Sequence, residues 1–113
     1  MKIKYNRRIS FCRLMEKAMV VDTGAARTLI LQDAVEDIGI QVDSHDRMVT
    51  YFGVGGKEHA FRKRVDQIQV NQFIAKNLEA DFNDFGYEDI NGLLGLDLLM
   101  RAGLEYLQIF RYR

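Results

Sequence analysis

Apolar residues along this chain fall into short runs that alternate with polar neighbours and are separated by glycine, asparagine and aspartate. Ala18-Met19-Val20-Val21 is a β-branched run that ends at Asp22-Thr23-Gly24, the pattern of a buried strand followed by a turn. Thr28-Leu29-Ile30-Leu31 is a second such run. From Gln32 to Ile38, the residues Ala34, Val35 and Ile38 have helical spacing and Gly39 suits the residue past a helix end, so a short helix is predicted. Met48 to Phe52 and Ala60 to Val65 read as extended arms of a hairpin whose tip is Gly53-Val54-Gly55-Gly56. Ile68 and Val70, then Leu78, Ala80 and Phe82, alternate with polar residues and predict two half-buried strands. Asp84 to Asn91 reads as a polar loop and Gly92-Leu93-Leu94-Gly95 as a strand end. Leu96 to Ala102 predicts a second short helix, with Asp97 in its first turn, Arg101 in its last and Gly103 after it. Alternation from Tyr106 to Tyr112 predicts a terminal strand. The expected class is all-β with two short helices.

Composition narrows the function classes. The 113 residues suit a single domain over 1–113. Hydrophobic content of 48% and charged content of 28% are those of a globular chain. Sixteen basic and 16 acidic residues cancel, which speaks against a nucleic-acid partner or a polybasic membrane anchor. No apolar run reaches the ~18 residues of a membrane-spanning helix, and Met1-Lys2-Ile3-Lys4-Tyr5 lacks the apolar stretch of a secretory leader. The one cysteine, Cys12, cannot close an internal disulfide, so a cytoplasmic location is expected. The chain has no proline, which leaves turns to glycine, asparagine and aspartate.

Several motifs fail on inspection. Gly53-Val54-Gly55-Gly56-Lys57 resembles a phosphate loop, but Tyr51 and Glu58 stand where a Walker A sequence needs glycine and Ser or Thr. Asp81 to Gly92 begins like a calcium loop, yet Phe85 and Gly92 occupy positions that require oxygen ligands. His45, His59 and Cys12 have no metal-ligand spacing, and Cys12 has no paired histidine signature. No cofactor or metal is implied. Arg62-Lys63-Arg64 reads as a solvated strand end.

One constellation survives. Val20-Val21-Asp22-Thr23-Gly24-Ala25 resembles the active-site segment of retropepsin-like aspartic proteases. A lone Asp-Thr-Gly is weak evidence, since Asp and Gly are ordinary turn residues. Order and spacing strengthen it. The glycine-tipped hairpin from Tyr51 to His59 stands where the family has its flap, and Asn91-Gly92-Leu93-Leu94-Gly95 resembles the family's second signature. Leu96-Asp97-Leu98-Leu99 is similar to its short C-terminal helix. The family's N-terminal hairpin would be supplied in compressed form by Ile3 to Leu14. Ala26 and Arg27 stand where many viral members carry acidic residues, which resembles the bacterial and retrotransposon-like branch.

The resemblance implies a closed acid-protease β-barrel with half an active site per chain. Peptide hydrolysis in this class uses two carboxylates that share a proton and a water; like charges ~3 Å apart cannot both ionise easily, and the pair titrates as a unit. With one Asp-Thr-Gly per chain, the implied enzyme is a homodimer in which Asp22 of each copy meets at a two-fold axis. By the same resemblance, the Thr23 hydroxyl bonds across to the other loop, Gly24 admits close backbone approach, and Ala25 and Ala26 line the substrate channel. Phe52, Gly53, Val54, Gly55 and Gly56 form the flap. The implied partner is a peptide or protein, bound by strand addition, with neither nucleic acid nor membrane involved. The alternatives are a catalytically inactive dimeric peptide-binding module of the same fold, and a β-rich interaction domain unrelated to proteases.

Overall fold

A computed structural model of the chain describes residues 1–11, 18–21, 24–53, 56–70, 72–84 and 90–103. Its strands are β1 (Lys2–Tyr5), β2 (Arg8–Phe11), β3 (Ala18–Val21), β4 (Leu29–Leu31), β5 (Arg47–Gly53), β6 (Gly56–Val70), β7 (Phe73–Asn83) and β8 (Ile90–Leu94). One α-helix, α1, spans Leu96–Ala102. Of the N-terminal hairpin expected from Ile3 to Leu14, Cys12 to Leu14 lie outside the described residues, and β1 and β2 pair antiparallel from Lys2↔Phe11 to Tyr5↔Arg8. Its two turn residues, Asn6 (φ 50) and Arg7 (φ 68), both adopt the left-handed conformation. A two-residue turn of that hand matches the twist of the strands it joins. The Arg7 N–H donates to Asp66 Oδ2 at 3.3 Å and ties the turn to β6.

The strands form one sheet in the order β2-β1-β6-β7-β4-β8-β3, with β5 paired to β6 off this path. β6 is the long spine. Its first half pairs with β5, from Gly53↔Gly56 to Arg47↔Arg62, and its second half pairs with β1. Ala60 to Val65 and Ile68 to Val70 therefore belong to one 15-residue strand rather than two. Along the described residues the sheet has two ends, β2 and β3, so the pairing path is open rather than the closed barrel expected. β1 has β2 on one flank and β6 on the other, so Lys2–Tyr5 offers no free edge. The terminal strand expected from Tyr106 to Tyr112 lies outside the described residues.

The helix expected over Gln32–Ile38 resolves into two 3₁₀ turns, Gln32–Ala34 and Glu36–Ile38, broken at Val35. Short stretches of three residues per turn suit so tight a corner. Gly39 ends it in the left-handed conformation (φ 84), as its placement past the helix end required. The core joins β1 to α1. Ile3, Ile30, Val65, Ile68, Phe82, Leu94 and Leu98 are buried in one cluster, in which the Phe61 and Phe82 rings stack with centroids 5.5 Å apart. Burying each such side chain is worth ~1.5–3 kcal/mol.

Candidate active site

The site is organised around β8. β3, which leads directly to Asp22 in the sequence, lies parallel to β8, with Val20 opposite Leu93 and Val21 opposite Leu94. β4, which leaves the same segment on its far side, lies antiparallel to β8, with Leu29 opposite Leu93. The chain from Asp22 to Thr28 therefore connects the strands on either side of β8, and Gly95 at the end of β8 meets the exit of that connection. An ideal Cβ on Gly95 would sit 2.4 Å from the Arg27 carbonyl carbon and 2.9 Å from the Thr28 nitrogen, so no side chain fits there. Gly92 meets the same constraint from the other strand, with a would-be Cβ 2.1 Å from the Leu29 oxygen. Both glycines of the second signature thus let backbone pack directly on backbone.

The start of α1 then clamps the connection. Leu96 N–H donates to the Ala25 carbonyl at 2.8 Å and Asp97 N–H to the Ala26 carbonyl at 3.2 Å. Asp97 Oδ1 accepts the Thr28 N–H at 2.9 Å, the Thr28 hydroxyl at 2.8 Å and the Leu98 N–H at 2.7 Å. The Thr28 oxygen in turn accepts the Gly95 N–H at 3.1 Å. Thr28 is fully buried, so these bonds are made away from water, where an unmet donor would be expensive. Asp97 Oδ2 is buried and has no hydrogen-bond partner among the described residues.

Asp22, Thr23, Val54 and Gly55 lie outside the described residues. Gly24 occupies an exposed turn, Ala25 is half-buried and Ala26 exposed, each on the connection that α1 clamps. Gly53 and Gly56 face each other as the last pair of the β5–β6 hairpin, and Gly56 has φ +105, a conformation glycine tolerates best. Phe52 is 78% exposed, with the Lys57 ammonium 6.0 Å from its ring centre. Among the described residues, no group of three or more His, Cys, Asp and Glu is placed to hold a metal ion. No helix among them is long and apolar enough to cross a membrane.

The structure adds a polar cluster that alternation along the chain did not reveal. Asp81, on β7, is fully buried. It is held by Arg62 through Nε (2.7 Å to Oδ1) and Nη2 (3.1 Å to Oδ2), and its Oδ2 also accepts the Tyr51 hydroxyl. Burial, followed by the bond to Asp81 and the charge of Asp81, pushes the Tyr51 phenol well above its ordinary range, so it stays a donor. The Asp81 N–H donates to the Thr28 carbonyl at 3.0 Å, linking this cluster to the clamp. Of Arg62-Lys63-Arg64, expected to be solvated, only Arg64 is, with its side chain 55% exposed beside Glu79. The Arg62 side chain is only 12% exposed, and Lys63, 9% exposed, bridges Asp43 (3.0 Å) and Asp46 (2.9 Å). A period-two polar position opposite a buried aspartate was the available signal, but it needs the β6–β7 register, Arg62↔Asp81, to be read.

This mostly-strand fold is similar to that of the EIAV protease complexed with the inhibitor HBY-793: TM-score 0.57 and 21% identity over 75% of this chain and 75% of that one. That likeness defines a retropepsin-like, acid-protease fold. A family model described as Aspartyl protease matches residues 15–98, from ahead of Asp-Thr-Gly into α1, and the chain belongs to that family. No curated protein matches the sequence.

Proposed function

We propose that the chain works as a homodimeric aspartic endopeptidase, in which Asp22 of two copies together activate one water for attack on a peptide carbonyl. The single observation that supports this reading is the parallel β3–β8 pair, after which the sequence runs into Asp-Thr-Gly and returns at Arg27 and Thr28 against Gly95, in a chain of the aspartyl protease family. One carboxylate, ionised, acts as base toward the water; the other, protonated, donates to the carbonyl oxygen as the tetrahedral intermediate forms. Half a dyad per chain requires the second copy. Thr23 and Gly24 frame the dyad, Ala25 and Ala26 line the channel, and the hairpin around Phe52, Gly53, Val54, Gly55 and Gly56 covers the substrate. The terminal segment 107–112 would join the dimer sheet and complete the barrel. The single cysteine supports a cytoplasmic setting. The test is peptide-library cleavage by the wild type and Asp22→Asn. Cleavage lost in Asp22→Asn, together with binding of pepstatin-like transition-state mimics to the wild type, is the expected result. Cleavage that survives the substitution overturns the assignment.

A further inference from the structure

The hairpin formed by β5 and β6 is joined to the body of the molecule by a bond that its own pairing does not need. Tyr51 sits on β5 close to the glycine tip, and it pairs across the hairpin with Glu58. Its hydroxyl leaves the hairpin and donates to Asp81 Oδ2 on β7. Asp81 is a rigid acceptor: it is fully buried, gripped by both arms of Arg62, and its N–H is fixed to the Thr28 carbonyl. Thr28 is itself locked to Asp97 and Gly95 beneath the Asp-Thr-Gly connection. A continuous series of hydrogen bonds therefore runs from the outer half of the hairpin to the floor of the site. The hairpin's other face is unpinned: Met48 and Phe52, which alternate with Tyr51, are 57% and 78% exposed.

We infer that Tyr51 is a positioning residue, whose hydroxyl latches the β5–β6 hairpin onto the Asp81–Arg62 pair and so sets the hairpin's height above the peptide channel. The inference rests on the protease reading for its kinetic consequence but not for its structural one. With the latch closed, the outer ends of β5 and β6 lie at the distance from Thr28 that an extended peptide between them experiences. With it broken, β5 keeps its ladder to β6 and β6 keeps the bond that Asn83 Nδ2 donates to the His59 carbonyl, so the part of the hairpin beyond His59 gains freedom to lift. The latch touches neither the water nor the scissile carbonyl, so it acts on substrate capture rather than on bond cleavage. A hydrogen bond to an ionised acceptor is strong enough to shift such an equilibrium roughly tenfold or more.

The test is Tyr51→Phe, which keeps the ring and removes only the donor. Amide hydrogen exchange over 50–53 and 56–59 should rise roughly tenfold while exchange in β7 and α1 stays at the wild-type level. In peptide cleavage KM should rise by a similar factor with kcat within about twofold, a split that general destabilisation does not produce. Wild-type exchange and KM in Tyr51→Phe would overturn the latch. Asp81→Asn, which keeps an acceptor of the same shape but weakens it, should raise exchange over the same segments by a smaller factor. It carries the test should Tyr51→Phe not fold, and wild-type exchange in it would equally overturn the inference. A wild-type protein that cleaves nothing refutes the protease reading instead, and leaves the exchange comparison to decide the latch.

Discussion

Asp97 Oδ1 accepts both the backbone N–H (2.9 Å) and the hydroxyl (2.8 Å) of Thr28, so the first turn of α1 holds the exit of the Asp-Thr-Gly connection through one carboxylate oxygen. The other oxygen, Oδ2, is buried without a partner among the described residues. The negative charge is therefore only half used, while the shape and acceptor are fully used. Asp97→Ala should destabilise the fold by about 3 kcal/mol, because buried donors on Thr28 lose their acceptor. Asp97→Asn retains an oxygen for them and should stay within about 1 kcal/mol of the wild type. Urea titration of both variants checks this; equal losses would mean that the charge, not the acceptor, matters.

Gly95 and Gly103 offer a contrast between two kinds of glycine. At Gly95 a Cβ would penetrate the Arg27 carbonyl at 2.4 Å, and the contact is backbone, which cannot swing away. At Gly103 a Cβ would meet none of the described residues, and φ +81 resists it. Gly103→Ala should lose about 1 kcal/mol. Gly95→Ala should lose more than about 3 kcal/mol and cleavage activity with it, since the clamp must move. Thermal melts of the two proteins give the comparison, and similar melting temperatures would contradict it.

Arg62 and Asp81 form the most deeply buried ion pair described, with the aspartate at 0% exposure. Removing one partner leaves the other charge unmatched, so Arg62→Met should destabilise by roughly 3–5 kcal/mol. Arg62→Met combined with Asp81→Leu should recover part of that loss, because burying neither charge also avoids the desolvation penalty. Tyr51 keeps the recovery incomplete, as its hydroxyl loses its acceptor in the double variant. A double variant no better than Arg62→Met would show that packing, not charge, decides the site.

Lys63 ties residues 41–46 to β6 through Asp43 and Asp46. Burial acts to lower the Lys63 pKa, but the hydrogen bonds it donates to Asp46 and Asp43 outweigh that and the ammonium is held above 10.5. Hydrogen bonding from Lys63 and from the His45 N–H holds the Asp43 carboxyl below 3.8. The raised lysine stabilises the fold at all pH values below 10.5 and loses that effect as pH climbs through its folded value. The depressed aspartate stabilises above 3.8 and loses its effect as pH falls through its lower folded value. Lys63→Met should therefore melt below the wild type at pH 7, and the gap should narrow below pH 3.8. A gap that is unchanged in acid would assign the loss to packing of the lysine stem.

The proposed half dyad per chain would make activity a function of dimer population. Specific activity should fall on dilution below the dimer dissociation constant and return on concentration. Its pH profile should be bell-shaped, because one carboxyl of the pair must be ionised and the other protonated. Sedimentation beside a cleavage assay across a dilution series tests both halves. A monomer that cleaves at full rate would refute the shared dyad.

Much of this protein is decided locally, and to that extent the amino-acid order determines it. Val20-Val21-Asp22-Thr23-Gly24, Gly92-Leu93-Leu94-Gly95 and the run from Leu96 to Gly103 each announce their backbone, since strand alternation, glycine at a tight contact and helix-end chemistry act between near neighbours. The strand β3 and the helix α1 stand where those runs predict them, and β8 covers its run but starts earlier, at Ile90, within the stretch expected to be a loop. The corner at Gln32–Ile38 departs only because two 3₁₀ turns around Val35 satisfy the same apolar spacing as one helical turn and a half would. Pairing between distant segments is another matter. Asp97 with Thr28, and Tyr51 with Asp81 and Arg62, depend on which strand lies beside which and in what register, and no local preference encodes that. The same holds for Arg62 and Lys63, whose charge in sequence suggests solvent and whose burial follows from the aspartates that β7 and residues 41–46 place over them. Burial of a charge is tolerated only where an opposite charge arrives with it, so tertiary structure alone decides which charged residues leave water.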